Sequence, residues 1–100
     1  MPGYRLTRSA LSDLHSIAAY TLRNWGEAQM RRYIAGFYGC LEMLPGNPAL
    51  GRTCDSIHPG LRRMEHEKHV VFYRQQPDAS IRTIRILHQS RLPDRSRFPK

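Results

Sequence analysis

The sequence has few residues of several kinds, and each shortage excludes a class of protein. It contains only two cysteines, Cys40 and Cys54, whose spacing fits no zinc motif and gives no CxxC pair. We therefore expect two free thiols and no disulfide framework. No apolar run approaches the ~18 residues of a membrane span, and the N-terminus has no apolar signal core. We expect no membrane segment and a cytoplasmic location.

Acidic side chains are scarce as well. Sixteen Lys and Arg stand against eight Asp and Glu, which gives a formal net charge of +8. Lys occurs only at Lys68 and Lys100, so the excess consists of arginine, which forms bidentate bonds with carboxylate and phosphate groups. Such a surplus indicates an acidic partner, either a nucleic acid or an acidic protein. The alternative is that the charge only keeps a small protein soluble.

Catalytic and metal-binding signatures are also missing. The chain has five histidines, yet no GxSxG, HExxH or Cys–His signature accompanies them. His66 and His69 would face opposite sides of a strand, so they cannot chelate a metal together unless a turn intervenes. We predict no metal site and no cofactor.

What the sequence does contain begins with a short strand and two amphipathic helices. Residues 3–7 alternate apolar and polar side chains, which predicts a strand with one buried face. Gly26 then separates two segments with helical periodicity, so we expect an antiparallel hairpin over about 8–44. The predicted buried stripes are Leu11, Leu14, Ile17, Ala18, Thr21 and Trp25 in the first helix, and Met30, Tyr33, Ile34, Phe37, Leu41 and Leu44 in the second.

The C-terminal half predicts three strands, at about 61–69, 70–74 and 81–90, with the turn QQPDAS between the last two. The resulting order, β-α-α-β-β-β, predicts an α+β fold in which the helical hairpin packs on a small, mainly antiparallel sheet. We expect a single domain over residues 1–100, with C-terminal strands at about 61–89 and a basic tail at 91–100.

His88 ends the last predicted strand, and three roles are open to it: catalytic base, metal ligand or structural residue. Alternation places His88 on the same core-facing side as Ile84 and Ile86. We therefore predict a partly buried ring that hydrogen-bonds the turn at Gln89 and Ser90.

Arginines concentrate in this C-terminal half, where Tyr73 is available for base stacking. The pattern is typical of a surface that faces RNA or DNA, and the alternative is a solvated strand face whose charges prevent edge aggregation. The arginines are Arg62, Arg63, Arg74, Arg82, Arg85, Arg91, Arg95 and Arg97.

Five motifs occur in a fixed order over about residues 3–98: YRLT, ALSDLHSIAAYTLRNWG, NPALGR, GLRRMEHEKHVVFYR and IRILHQSRLPD. This ordered set resembles the ParE branch of the RelE/ParE family, the toxins of type II toxin–antitoxin modules. The resemblance implies a heteromeric complex with an acidic, ParD-like antitoxin that folds on binding. It also implies DNA gyrase as the target, trapped in its DNA-cleaved state without catalytic residues in the toxin. Sequence-specific DNA binding in such modules belongs to the antitoxin, so none is expected here.

The RelE branch implies a different activity, metal-independent cleavage of mRNA on the ribosome, and this is the alternative function. That branch uses basic residues on the sheet and commonly an aromatic hydroxyl near the C-terminus. Here Phe98 is the only aromatic residue after Ser90, and two glutamates interrupt RRMEHEK. An endoribonuclease would have to use Arg62, Arg85 and one of the histidines.

Two sets of contact residues follow from the family reading. The antitoxin is expected to meet apolar and basic residues of the helices, and the target is expected to meet basic and aromatic residues of the strands and tail. The antitoxin set is Leu14, Ile17, Ala18, Tyr20, Arg23, Arg31, Arg32, Phe37 and Leu41; the target set is Arg62, Tyr73, Arg74, Arg85, His88, Arg91, Arg95 and Arg97.

Overall fold

A helical hairpin and a five-stranded sheet make up the computed structural model, which describes residues 3–91. The predicted basic tail, with Arg95 and Arg97, lies outside the described residues except for Arg91. The elements in chain order are β1 (Tyr4–Leu6), α1 (Arg8–Trp25), α2 (Glu27–Met43), a 3₁₀ turn (Pro48–Leu50), β2 (Arg52–Thr53), β3 (Arg62–His66), β4 (His69–Gln75) and β5 (Ile81–His88).

The link between the helices is the single residue Gly26, which ends α1 and begins α2 at a φ of 89°. A positive φ of this kind suits glycine because it has no Cβ to collide with the backbone. The predicted hairpin and the α+β class are confirmed.

The sheet has the strand order β1-β5-β4-β3-β2, with β1 parallel to β5 and the other pairs antiparallel. The expectation of a mainly antiparallel sheet is therefore confirmed, although the sequence did not predict the short strand β2. β1 covers only 81–83 of β5. Beyond Leu6 the chain turns away as α1, so the rest of the outer edge of β5 has no strand beside it.

Both faces of the sheet are covered, which explains the apolar run in β4. The face under the hairpin packs Val71 and Tyr73 against the helices. The opposite face packs Val70 and Phe72 against the segment that follows β2. The hairpin-side core comprises Leu14, Ile17, Phe37, Leu41, Leu44, Val71, Tyr73, Ile81 and Ile86.

A β-bulge overturns the predicted alternation in β5. Ile86 lies in the hairpin-side core, whereas Ile84 lies in the opposite cluster, so the prediction that they share a face is wrong. Phe72 pairs with Arg85 but Tyr73 pairs with Thr83. Ile84 is therefore an extra residue, and it reverses the side on which each later residue lies.

The buried stripe of α1 is narrower than predicted. Leu11 is 43% exposed and Trp25 is 70% exposed, so neither belongs to the core. Ala10 is fully buried in that turn, and a helix rotates about 100° per residue, which carries Leu11 away from the sheet. Trp25 is the last residue of α1 and lies at the tip of the hairpin.

Candidate functional site

An open groove of about 510 Å³ lies between α1 and the uncovered edge of β5. It exists because β1 stops at Leu6 while β5 continues to His88. We call it the α1–β5 groove, and its lining residues are Asp13, Ser16, Ile17, Tyr20, His69, Ile86, Leu87, His88, Ser90 and Arg91.

Side chains from the start of α1 bond the edge of β5 where the strand partner ends. The Thr7 hydroxyl accepts a bond of 3.0 Å from the amide of Ala10, as an N-cap does, and donates one of 2.8 Å to the carbonyl of Ile84. The carboxylate of Asp13 accepts a bond of 2.9 Å from the amide of Ile86. These contacts fix α1 along the groove.

Asp13 also forms an ion pair with Arg85. Nε and Nη2 of Arg85 donate bonds of 2.8 and 2.9 Å to its two carboxylate oxygens, a bidentate geometry that is among the strongest in proteins. The bond from Asp13 raises the pKa of Arg85. The Arg85 guanidinium therefore joins α1 to β5, although the sequence assigned it to the target set.

A histidine cluster lies beside the groove, which two of its members, His69 and His88, line. Residues 67 and 68 make a turn between β3 and β4, with Glu67 at a φ of 55°. His66 consequently pairs with His69 across the strands, and both rings pack on the hairpin side against Phe37. The sequence analysis placed them on opposite faces of a strand unless a turn intervened, and the structure has that turn.

His69 has a lowered pKa that its surroundings explain. Its Nδ1 lies 2.6 Å from the Tyr33 hydroxyl, and its ring centroid lies 5.2 Å from that of His88. Burial, followed by the neighbouring His88 and His66, lowers the pKa of His69 to about 4. The ring is therefore neutral at neutral pH. Within residues 3–91, no cluster of three or more His, Cys, Asp or Glu side chains is arranged to hold a metal ion.

His88 itself has the contacts that the sequence predicted with Ser90. Its ring is partly buried, and Nδ1 lies 2.8 Å from the Ser90 hydroxyl and accepts a bond of 3.0 Å from the Ser90 amide. With the bulge in place, His88 lies beside His69 under the hairpin.

The predicted antitoxin set divides into core and surface residues. Leu14, Phe37 and Leu41 are at most 3% exposed, so the prediction that these three contact a partner directly is corrected: they hold the hairpin on the sheet. Ile17 is 8% exposed and belongs to the core, but it also lines the groove. Ala18 is half-buried, and Tyr20 is 58% exposed. The three arginines of this set, Arg23, Arg31 and Arg32, are exposed. Arg31 forms an ion pair with Glu27 of the same helix.

The target set is dispersed. Tyr73 is fully buried, where its hydroxyl donates to the carbonyl of Pro48 and accepts from the amide of Gly51, so the prediction that it stacks on a target is corrected. Arg62 donates to the carbonyl of Gly51, and Arg74 donates to that of Pro59.

The groove combines members of both predicted sets. His88 and Arg91 of the target set line it together with Tyr20 of the antitoxin set. His69 was missed because its place depends on the pairing of β4 with β5. The described part of the chain contains no helix with the length and apolarity to span a bilayer.

Comparison of the sequence with known proteins finds a family that matches most of the chain. The family described as "ParE toxin of type II toxin-antitoxin system, parDE" matches residues 4–93. Toxin ParE1 of Mycobacterium tuberculosis is 33% identical over 93 residues, which are 93% of this chain and 95% of that protein. Toxin ParE1 of Caulobacter vibrioides is 37% identical over 90 residues, covering 90% and 92% of the two chains.

The fold also matches a solved structure, the chromosomal ParDE toxin–antitoxin system from P. aeruginosa. The TM-score is 0.75 over 88% of this chain and 96% of that chain. The sequence identity is 21%, so this likeness supports the fold alone.

Proposed function

The chain belongs to the ParE toxin family of type II toxin–antitoxin systems, and from that premise we propose that it poisons DNA gyrase by holding the enzyme in its DNA-cleaved state. The family match over residues 4–93 carries this proposal. The toxin acts by binding in the cytoplasm, where gyrase works, and needs no catalytic residue or cofactor of its own. A cognate acidic antitoxin of the ParD kind neutralises it in a heteromeric complex.

The positions of the arginines support binding over catalysis. A ribonuclease of this fold would need free cations beside an acid–base group. Arg62 donates its bond to the Gly51 carbonyl on one side of β4, and Arg85 is paired with Asp13 on the other. The two arginines of the alternative function are thus engaged on strands that β4 separates.

The α1–β5 groove is the proposed seat of the antitoxin segment. Its position beside an uncovered strand edge supports this placement, as does the exposed ring of Tyr20 at its rim. Arg91 supplies a positive charge in the groove, and the chain carries a net charge of +8. An acidic segment would therefore be attracted to this surface before it packs.

The proposed target is tested by adding the purified toxin to gyrase, ATP and relaxed plasmid. We expect linear, protein-linked DNA to accumulate, and preincubation with the antitoxin to prevent it. A parallel reaction with translating ribosomes and a reporter mRNA tests the alternative. Unchanged supercoiling by folded toxin, together with cleaved mRNA, would replace gyrase poisoning by ribonuclease activity.

The antitoxin site is tested with Tyr20→Ala. We expect antitoxin affinity to fall by about tenfold or more, because an aromatic side chain that a partner covers is a frequent energetic anchor of an interface. The change should be measured by titration calorimetry, with the melting temperature as a check on folding.

Trp25→Ala is the matched control, because Trp25 is 70% exposed on the same helix and does not line the groove. We expect it to leave the affinity unchanged. A larger loss from the double variant Arg31→Glu/Arg32→Glu than from Tyr20→Ala would place the antitoxin on the outer surface of the hairpin instead.

A further inference from the structure

Three arginines lie side by side across the sheet, at the end where β1 pairs with β5. Arg5 of β1 is in register with Arg82 of β5, and Arg82 is in register with Arg74 of β4. Adjacent strands are about 4.8 Å apart, so the three Cα positions span about 10 Å. We call these residues the arginine row.

The row projects from the face opposite the hairpin. Tyr4, Tyr73 and Ile81, which immediately precede the three arginines, pack in or against the hairpin-side core. Successive side chains of a strand point to opposite faces, so the arginines point away from the helices. Arg5 and Arg82 are exposed, and Arg74 is partly buried.

The protein leaves this row largely uncompensated. Like charges directly across neighbouring strands destabilise a sheet, yet none of the three arginines forms an ion pair with a carboxylate among residues 3–91. Arg74 donates to the ring of His58 and the carbonyl of Pro59. The acidic group that acts on Arg5 is the exposed Asp78, whose carboxylate already accepts bonds from Ser80.

At the opposite edge of the sheet, on β2 and β3, two arginines do have a carboxylate partner. There Arg52 and Arg63 share the carboxylate of Glu65, at 3.1 and 2.9 Å. The protein thus neutralises Arg52 and Arg63 with a carboxylate, whereas no carboxylate of the described residues forms an ion pair with a member of the arginine row. Such an arrangement suits an external anion that touches several guanidinium groups at once.

We propose that the arginine row is a binding site for the phosphodiester backbone of DNA. The identity of that DNA, the segment held by gyrase, rests on the proposed function, whereas the phosphate site itself does not. Contacts to the backbone carry no sequence information, so the site agrees with the absence of sequence-specific recognition expected of such a toxin.

The surroundings of the row favour DNA over an acidic peptide. A peptide that folds on binding needs apolar surface to pack against. The exposed large apolar side chains of the described residues all lie on the helices or just after them, and none lies on this face. They are Leu11, Tyr20, Leu22, Trp25, Met43 and Leu50.

The test is the salt dependence of binding to a short fluorescent duplex of arbitrary sequence. Each phosphate contact contributes about 0.9 to the slope of log affinity against log salt. We expect Arg82→Gln to reduce the slope by about 1, and Arg5→Gln/Arg82→Gln to reduce it by about 2. Both side chains are exposed, so melting temperatures should stay close to that of the parent.

Arg32→Gln is the matched control, because it removes the same charge from an exposed position on α2 and should leave the slope unchanged. Equal effects from Arg82→Gln and Arg32→Gln would show that DNA responds only to net charge, which would overturn the site. If the Arg5→Gln/Arg82→Gln variant lost binding to a polyglutamate peptide but bound DNA as the parent does, the row would be a site for an acidic protein. That result would also overturn the DNA site.

The gyrase assay separates this inference from the proposed function. The parent toxin could trap cleaved gyrase–DNA complexes while the Arg5→Gln/Arg82→Gln variant keeps the parent's salt slope for DNA binding. That result would refute the phosphate site and leave gyrase poisoning in place. The expected change in slope without trapping by the parent would establish the site and refute gyrase as the target.

Discussion

Asp13→Ala is expected to lower the free energy of unfolding by about 2–3 kcal/mol, because it breaks a largely buried, bidentate ion pair. The Arg85 guanidinium would lose both bonds to the carboxylate, and the amide of Ile86 would lose its acceptor. The side chains of Arg85 and Asp13 are 22% and 15% exposed, so water replaces these bonds only in part. Urea denaturation at neutral pH measures the loss.

Glu27→Ala provides the matched control for this ion pair. Glu27 and Arg31 approach to 2.6 Å, which is shorter than the Asp13–Arg85 contact, but their side chains are 63% and 75% exposed. We expect a loss of no more than about 0.5 kcal/mol, as for other exposed pairs one turn apart on a helix. Equal losses in the two variants would refute the structural role given to Asp13.

Gly51→Ala is the second substitution with a large expected effect, a loss of about 2–3 kcal/mol. A Cβ at this position would lie 2.5 Å from the carbonyl oxygen of Arg63 and 2.6 Å from the hydroxyl of Tyr73. The φ of Gly51 is −84°, so the cost comes from lack of space and not from backbone strain. Thermal and urea unfolding both report it.

Tyr73 cannot move aside without a further cost. Its hydroxyl is held between the Gly51 amide at 2.8 Å and the Pro48 carbonyl at 2.7 Å, and the residue is fully buried. Displacement of the ring would break both bonds, and a buried polar group without a partner costs about 1–3 kcal/mol. This close approach explains why glycine occupies this position in NPALGR.

Gly39→Ala should change stability in the opposite direction. Gly39 lies inside α2, and beyond the adjacent backbone of its own helix no atom lies within 4 Å of an added Cβ. Alanine is favoured over glycine within a helix by about 0.5–1 kcal/mol. The two Gly→Ala variants therefore differ in the sign of their effect. A Gly51→Ala variant more stable than the parent would contradict the close packing at Gly51. A Gly39→Ala variant less stable than the parent would contradict the open space beside Gly39.

The hairpin was predictable from sequence because its signals are local. Apolar residues recur along α1 and α2 with helical spacing, and Gly26 and Pro45 mark where the helices end. Leu11 was misplaced because periodicity cannot choose between adjacent apolar residues when the smaller one, Ala10, occupies the core position. The bulge at Ile84 was not predictable, because an extra residue in β5 is defined only by its register against β4.

The site was less predictable, since its residues come together only in the fold. Arginine is a residue type that commonly binds phosphate, so the sequence assigned Arg85 to the target. Nothing nearby in the sequence indicates that Asp13, 72 residues earlier, accepts its bonds. Tyrosine is a residue type that commonly stacks on bases, so the sequence assigned Tyr73 to the target. Only the folded structure shows that its ring is buried beside Gly51. His69 enters the groove because the turn at 67–68 and the pairing with His88 place it there.

The pairing of β1 with β5 has a consequence for how the chain is synthesised and folds. The Thr7 hydroxyl bonds the carbonyl of Ile84 across 77 residues of sequence, and contacts so distant in sequence slow folding, because a long loop must close first. β1 leaves the ribosome before β5 and has no strand to pair with until β5 follows. The groove and the arginine row both include β5, so neither exists on a partly synthesised chain. A ribosome that makes this protein therefore completes the groove and the arginine row only after it has synthesised β5.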